Sequence, residues 1–362
     1  MNFFGYLRKL DWGLIIPAVL LVCFGLVAIW STCVAKDNFA NFYKEAIFFA
    51  VGFLAMILVS LFDYRILRNN SYLILVLYGI CLLLLAGLHF FAPVIKGTRG
   101  WYRIGILSAD PIEPTKIVLV ALLAKYFSMR HVEMYKFRNI VFSGLYVLLP
   151  AMLIFIKPDL GGTMVILLIW FGILLVSGIK LNHFLILLIC FLIVAGVAWG
   201  FLLKDYQKQR ITAFIFPYDY LGASWSQNQT KIAIGSGKIF GQGLAKGSQV
   251  QYGFLPESHT DFIFSVISEE WGMVGDFVLF FVYGFLVWQV LRVAIESRSN
   301  FPRLFACGFA VILTAQFFIN IGMNLSLLPV VGIYLPFVSY GGSGLIGNFV
   351  SLGILQSIKN KG

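Results

Sequence analysis

The sequence predicts an all-α membrane protein with about ten transmembrane helices and one long extracytoplasmic loop, and three observations carry that prediction. The chain of 362 residues is 60% hydrophobic and 12% charged, with a mean hydropathy of +0.90. An average soluble domain is about 45–50% apolar and about 25% charged, and a soluble chain cannot hide this much apolar surface. Runs of about 18–25 apolar residues recur along the whole length, as a helix needs to cross ~30 Å of hydrocarbon. The ~10-residue alternating pattern of a membrane β-barrel is missing from the sequence, so the buried amides must be bonded within helices.

The spans are expected at residues 12–33, 44–62, 72–92, 112–128, 139–157, 162–179, 182–203, 262–291, 304–326 and 337–357. The first run is longer than the about 7–15 apolar residues of a secretory leader and reads as a retained span. A short turn at 157–161 makes the fifth and sixth spans a tight hairpin. The seventh span leads into residues 204–260, the one long connection, and residues 1–362 read as a single membrane domain.

Orientation follows from the basic residues of the short connections. With the N-terminus inside, the inner segments carry thirteen Lys and Arg and the short outer ones carry seven, the long loop being left out. Both termini are therefore expected in the cytoplasm and the long loop outside. No inner segment is long enough for a nucleotide-binding or kinase domain. The net charge of +11 lies in short clusters that flank apolar runs, the pattern of membrane anchors and not of nucleic-acid binding. Gly235-Ser-Gly-Lys-Ile resembles part of a phosphate-binding P-loop. The required first glycine is Ile232 and the hydroxyl residue after the lysine is Ile239, so the match fails. Cys23, Cys33, Cys81, Cys190 and Cys307 are scattered singly, which indicates neither a disulfide framework nor a zinc site.

The candidate site residues cluster around the long loop. Its middle, Lys231-Ile-Ala-Ile-Gly-Ser-Gly-Lys-Ile-Phe-Gly-Gln-Gly-Leu-Ala-Lys-Gly, is glycine-rich. Such a backbone turns tightly and can present amides to an anion. Arg210, Lys231, Lys238 and Lys246 add positive charge suited to a lipid diphosphate; the plain alternative is an ordered loop with many turns. Where the chain re-enters the membrane, Leu255-Pro-Glu-Ser-His-Thr-Asp-Phe-Ile-Phe places Asp261 at the first turn of the eighth span. A carboxylate there can meet a polar substrate with its pKa tuned by partial burial, with Glu257 and His259 to orient it or to help hold a cation. It can equally serve as a helix N-cap. Glu269 and Glu270 lie about 12 Å further along the same helix, where ionisable residues face the interior or a hydrated cavity. Glu113 and Lys116 share a face of the fourth span as an ion pair or a substrate contact. Asp159 in Lys157-Pro-Asp-Leu-Gly-Gly is either an N-cap or a cavity-lining acid. In the last third, Pro329 and Pro336 end or bend helices, and Gly341, Gly342 and Gly344 permit close packing.

Taken together these residues resemble the SEDS family of bacterial cell-wall proteins, and within it the branch that elongates rod-shaped cells. The resemblance covers nearly the whole chain. Its most specific parts are Gln229-Thr-Lys-Ile-Ala-Ile-Gly-Ser-Gly, Phe254-Leu-Pro-Glu-Ser-His-Thr-Asp-Phe-Ile-Phe, and Leu328-Pro-Val-Val-Gly through Ser339-Tyr-Gly-Gly-Ser. Two departures stand out: the family's Pro-Ser-Glu-x-x-Lys appears as Pro111-Ile-Glu-Pro-Thr-Lys, and its Arg-Trp pair as Arg99-Gly-Trp101. The resemblance implies a ten-span peptidoglycan glycosyltransferase in the bacterial cytoplasmic membrane that polymerises lipid II into a nascent glycan strand at the outer face. It implies a class B penicillin-binding protein as partner and a role in cell shape, with division as the related branch. Asp261 occupies the position of the family's essential aspartate.

The chemistry expected on that footing is an inverting transfer with Asp261 as base. A diphosphate leaving group needs no acid partner, unlike a hydrolysed glycoside. Lys or Arg, or a divalent cation (magnesium or manganese) with its ligands unassigned, would offset the leaving charge. Two other classes compete: a transporter that flips the lipid-linked precursor, which intramembrane acids and broken helices also suit, and a scaffold that only recruits cell-wall enzymes.

Overall fold

The computed structural model describes residues 10–93, 100–104, 107–130, 137–216 and 224–361. Arg99 lies outside the described residues, as do Arg8, Lys9, Lys96 and Lys136 of the charge count. The described chain is almost wholly helical. Its long helices are α1 (Trp12–Lys36), α2 (Ala40–Leu61), α4 (Ser71–Phe91), α5 (Ile112–Arg130), α6 (Phe137–Ile156), α7 (Leu160–Val176), α8 (Leu181–Val197), α12 (Ile263–Glu296), α13 (Asn300–Asn324) and α14 (Gly342–Lys361). These ten sit at the ten expected positions. Seven are long and apolar enough to cross a membrane by length and composition. Of the others, α7 is apolar but shorter, and α5 and α14 carry polar residues that the interior of the bundle accepts.

Short elements fill the connections: α3 (Arg65–Asn69), a hairpin of β1 (Tyr102–Ile104) and β2 (Leu107–Ala109) before α5, and α9 (Asp205–Ile215), α10 (Trp225–Gly237) and α11 (Ser248–Gln251) in the long loop. The stretch expected as a glycine-rich loop is therefore helical as far as Gly237. A π-helical turn, Ala198–Leu202, links α8 to that loop. Helix α13 is the hub, packed by α5, α7 and α12 and largely buried. At the other extreme, α8 has no buried residue.

The first and last described residues lie at one end of the bundle. Asp11 caps α1 through Gly13 N–H at 2.9 Å, and its backbone exchanges hydrogen bonds of 2.8 and 2.9 Å with Gln356. Lys359 pairs with the Asp11 carboxylate, and Arg65 donates to the Lys361 carbonyl at 2.6 Å. That is the arrangement an even number of crossings requires.

Two irregular segments shape the opposite end. Residues 325–341, between α13 and α14, are not helical, so the tenth helix begins five residues later than expected, beyond Pro336. Helix α12, expected as an unbroken span over 262–291, is interrupted at Gly272 (φ 64, ψ −162). The loop after α10 fills the break. Gln242 and Gly243 N–H donate to the Glu269 and Glu270 carbonyls at 2.9 and 3.0 Å, while Met273 and Val274 N–H donate to the Lys238 and Ile239 carbonyls at 2.9 and 3.1 Å. The intruding backbone thus supplies the partners that a broken helix in an apolar setting would otherwise lack. Glycine is required on both sides: a Cβ at Gly272 would lie 2.4 Å from Gly241 N, and one at Gly241 would lie 2.1 Å from the Glu270 carbonyl oxygen.

Candidate functional site

The structure places Asp261 just before α12, partly exposed, with its backbone clamped by the distal third of the chain. Three successive carbonyls are held. Tyr340 N–H donates to His259 O at 2.8 Å, and Ser339 Oγ donates to Thr260 O at 2.7 Å. The Nδ2 groups of Asn320 and Asn324 both donate to Asp261 O at 3.0 Å. Asn320 and Asn324 are fully buried and one turn apart on α13, so they share a face. Asn324 Oδ1 in turn accepts from Ser265 Oγ at 2.6 Å, tying the first turn of α12 to the same point. The carboxylate lies beside Gly332, whose φ of 74° is in the left-handed region and whose missing Cβ would be 3.6 Å from Asp261 Oδ2. A side chain there would be strained and would crowd the carboxylate.

Glu113 and Lys116 form a buried ion pair of 2.8 Å on the first turns of α5. Tyr334 closes it: its hydroxyl donates to Glu113 Oε2 at 2.6 Å, and Lys116 Nζ stands 5.3 Å from its ring centroid. Tyr334 belongs to the segment that also carries Gly332 and Ser339, so the pair and Asp261 border one polar region. Asp159 caps α7 through Gly162 N–H at 2.8 Å and also lies 3.9 Å from Lys157 Nζ. Lys157 is equally close, at 3.9 Å, to Asp110, which caps α5 by accepting from Ile112 N–H at 3.0 Å. Burial pushes the Asp110 carboxyl up to about 6 against the pull of Lys157. The α7 end abuts the same irregular segment, since a Cβ at Gly161 would lie 2.7 Å from the Val331 carbonyl oxygen. Arg210 of α9 donates to Val330 O at 3.2 Å, which puts it on the rim.

Other candidates are spent elsewhere. Glu269 accepts from Gln249 and Val250 N–H at 2.7 and 3.2 Å and from Ser248 Oγ at 3.3 Å, so it caps α11. Glu270 is buried and accepts from Ser31 Oγ of α1. Both acids secure the loop in the α12 break and are not brought to Asp261. Lys231 and Lys238 are exposed on α10 and at its end. Lys238 lines a cavity of about 710 Å³ along residues 236–242, level with the break. The amides of Gly241, Gln242, Gly243 and Lys246 all bond protein carbonyls, so the expected anion concavity in that loop is occupied by the fold itself. Glu257 has a left-handed backbone (φ 46), and its carbonyl accepts from Thr260 and Phe262 N–H. The His259 ring packs edge-on against Tyr340 at 5.6 Å.

Among the described residues no three His, Cys, Asp or Glu side chains converge. Glu113 is committed to Lys116 and Tyr334, and Asp110 and Asp159 flank Lys157.

Sequence reasoning missed Asp110, Asn320, Asn324, Tyr334 and Ser339 as parts of the site. The Asn pair carried a usable signal, because two amides one turn apart in an apolar helix must face a polar interior. Nothing local marked the others.

Residues 11–362 match the model of the FtsW/RodA/SpoVE family, described as cell cycle protein. The chain is 33% identical over 350 residues to peptidoglycan glycosyltransferase MrdB of Escherichia coli K12, covering 96% of this chain and 93% of that one. It is 34% identical over 368 residues to a probable peptidoglycan glycosyltransferase FtsW of Geobacter metallireducens, covering 98% and 96%. Among solved structures it is similar, at TM-score 0.82 and 31% identity with 97% of each chain covered, to a chain of a peptidoglycan synthase complex that coordinates polymerization and crosslinking. The rod shape determining protein RodA of Thermus thermophilus matches at TM-score 0.70 and 30% identity, covering 97% of this chain and 96% of that one.

Proposed function

The chain belongs to the FtsW/RodA/SpoVE family, and from that premise we propose that it is a peptidoglycan glycosyltransferase polymerising lipid II at the outer face of the bacterial cytoplasmic membrane, with Asp261 as base. The observation that carries the assignment of Asp261 is the clamp: three successive carbonyls at 259–261 are held from α13 and the segment before α14, while the carboxylate stays partly exposed beside Gly332. A catalytic group must be held in position yet reachable by substrate.

In the proposed reaction the acceptor sugar hydroxyl attacks the anomeric carbon of the donor. The new C–O glycosidic bond forms as the bond to lipid diphosphate breaks on the opposite face. The hydroxyl proton passes to Asp261, which afterwards releases it to water. The diphosphate departs as an anion and needs no acid. Lys116, tied to Glu113, and Arg210 at the rim contribute positive potential near the polar region. A divalent cation enters this proposal only as part of the substrate's diphosphate complex, the usual mode for magnesium, and no step depends on it.

The elongation branch is the finer proposal, with a class B penicillin-binding protein as the crosslinking partner and both termini cytoplasmic. The similarity to a chain of a polymerizing and crosslinking complex supports the partner, and the excess of basic residues at the end bearing both termini supports the orientation. The decisive experiment gives labelled lipid II to the purified protein with its partner and compares wild type with Asp261→Asn. Polymer from wild type alone is expected, with turnover of the variant down at least about a hundredfold. Polymer from both would remove Asp261 as base. Translocation of the precursor without polymer would favour the transporter reading.

A further inference from the structure

Far from Asp261, the end of the bundle that holds both termini carries a second pocket that the proposed reaction does not use. It has a volume of about 380 Å³ and is lined by Tyr126, Arg130, Arg138, Phe142 and Tyr146. That volume is within the about 300–1,000 Å³ typical of small-molecule sites. Its place in the fold is clear: α5 ends at Arg130 and α6 begins at Phe137, and Lys125 of α5 reaches back to the Arg68 carbonyl of α3.

The pocket is built around a positioned guanidinium. Arg130 Nη1 donates to Tyr126 OH at 3.0 Å and to Asn139 Oδ1 at 2.9 Å, and its Cζ stands 4.8 Å from the centroid of the Tyr126 ring. Asn139 is fully buried. Both bonds leave from one nitrogen, among the described residues no further hydrogen bond engages the fork, and Arg130 lines the cavity. Arg138 lines the same cavity and is exposed, and among the described residues no carboxylate lies within ion-pair distance of it. Two guanidiniums lining one cavity add their positive potential there and make it a favourable place for an anion. The general excess of basic residues on the inner side needs neither a cavity nor a fixed guanidinium, and Arg138 lies in the first turn of α6, where the helix dipole disfavours a cation.

The walls specify the anion further. Phe142 lines the pocket, and further along α6 Leu145 and Leu149 are, like Phe142, about half exposed. These follow helical spacing, so they form one apolar track leading away from the charged end. A phosphate in the pocket with a hydrocarbon chain along that track satisfies both surfaces, whereas a free phosphate satisfies only the first. We propose that this pocket binds the phosphate headgroup of an anionic phospholipid of the inner leaflet, with Arg130 and Arg138 on the phosphate and the acyl chains along α6.

The test uses the full-length protein in neutral detergent with added phosphatidylglycerol, reading lipid adducts by native mass spectrometry and the rise in unfolding midpoint. Arg138→Gln, an exposed side chain whose loss leaves packing intact, is compared with R130Q/R138Q and with R298Q/R303Q, which removes two exposed charges of the same side. Wild type and R298Q/R303Q are expected to retain phosphatidylglycerol over phosphatidylcholine. Retention should fall several-fold in Arg138→Gln and by about tenfold or more in R130Q/R138Q. Equal retention in wild type and Arg138→Gln would overturn the proposal. So would equal stabilisation of wild type by soluble glycerol phosphate, which would make the ligand a free phosphate. Equal losses in R130Q/R138Q and R298Q/R303Q would reduce the effect to unspecific charge.

Discussion

Replacing Asn324 with Ala tests whether the clamp on Asp261 is what keeps the base in place. The side chain is fully buried: Oδ1 accepts from Ser265 Oγ at 2.6 Å and from Ser265 N–H at 3.3 Å, and Nδ2 donates to Asp261 O at 3.0 Å and to Asn320 O at 2.8 Å. Removing it strands the Ser265 hydroxyl, worth about 1–3 kcal/mol for a buried group left unpaired. Asp261 O keeps its bond from Asn320, so the loss there is only about 0.5–1.5 kcal/mol. The expected destabilisation is therefore about 2–4 kcal/mol. Freed on one side, Asp261 should sample positions away from the acceptor, and turnover should fall about tenfold to a hundredfold with little change in KM for lipid II. Ser265→Ala is the control, since it removes the same hydroxyl contact but leaves both amides on Asp261 O. It should cost about 1 kcal/mol and keep near-normal turnover. Unfolding midpoints in detergent and single-turnover polymerisation read the two effects separately. Turnover of Asn324→Ala within twofold of wild type, or equal losses in both variants, would refute the positioning role.

Two further outcomes follow from the polar cluster. Glu113→Gln strands Lys116 in a buried place and weakens the acceptor of Tyr334, so it should destabilise by about 3–5 kcal/mol, whereas Tyr334→Phe should cost about 1 kcal/mol; unfolding midpoints showing the reverse order would contradict the reading. Asp110 has its pKa raised from 3.8 to about 6, so the folded state holds its proton more tightly than the unfolded one. Its contribution to stability is then greatest below pH 4 and is lost as pH rises to about 6, by at most about 3 kcal/mol. Asp110→Asn keeps the cap on Ile112 and should flatten that fall, while leaving Lys157 beside Asp159. A fall of wild-type size between pH 4 and 6 in the variant would show that another group is responsible.

Local features were readable before any fold was known. Apolar runs of spanning length located all ten long helices, because bilayer thickness and helix rise dictate run length whatever the neighbours are. The Glu113–Lys116 pair follows from a spacing of three on one helix. For Asp159, before an apolar run, a cap was one of two readings left open, and the fold takes it. The clustering of basic residues beside apolar runs was also visible, although the pocket that Arg130 and Arg138 share was not.

What the tertiary structure alone decided is which polar groups meet. The donors that clamp the 259–261 carbonyls lie 59 to 81 residues away in the chain, and no periodicity links positions so distant. Glu269 and Glu270 read by depth as acids of the interior or of a hydrated cavity, and the fold takes the first, spending them on α11 and on Ser31. The glycines after α10 read as an anion cradle, yet their amides fill the gap that Gly272 opens in α12. In each case the reason is the same. In an apolar setting every buried polar group must find a partner, and which partner it finds depends on three-dimensional packing. Asp261 stood out in the sequence as an acid at the membrane boundary; its fixed position beside Gly332 is a property of the packed helices around it.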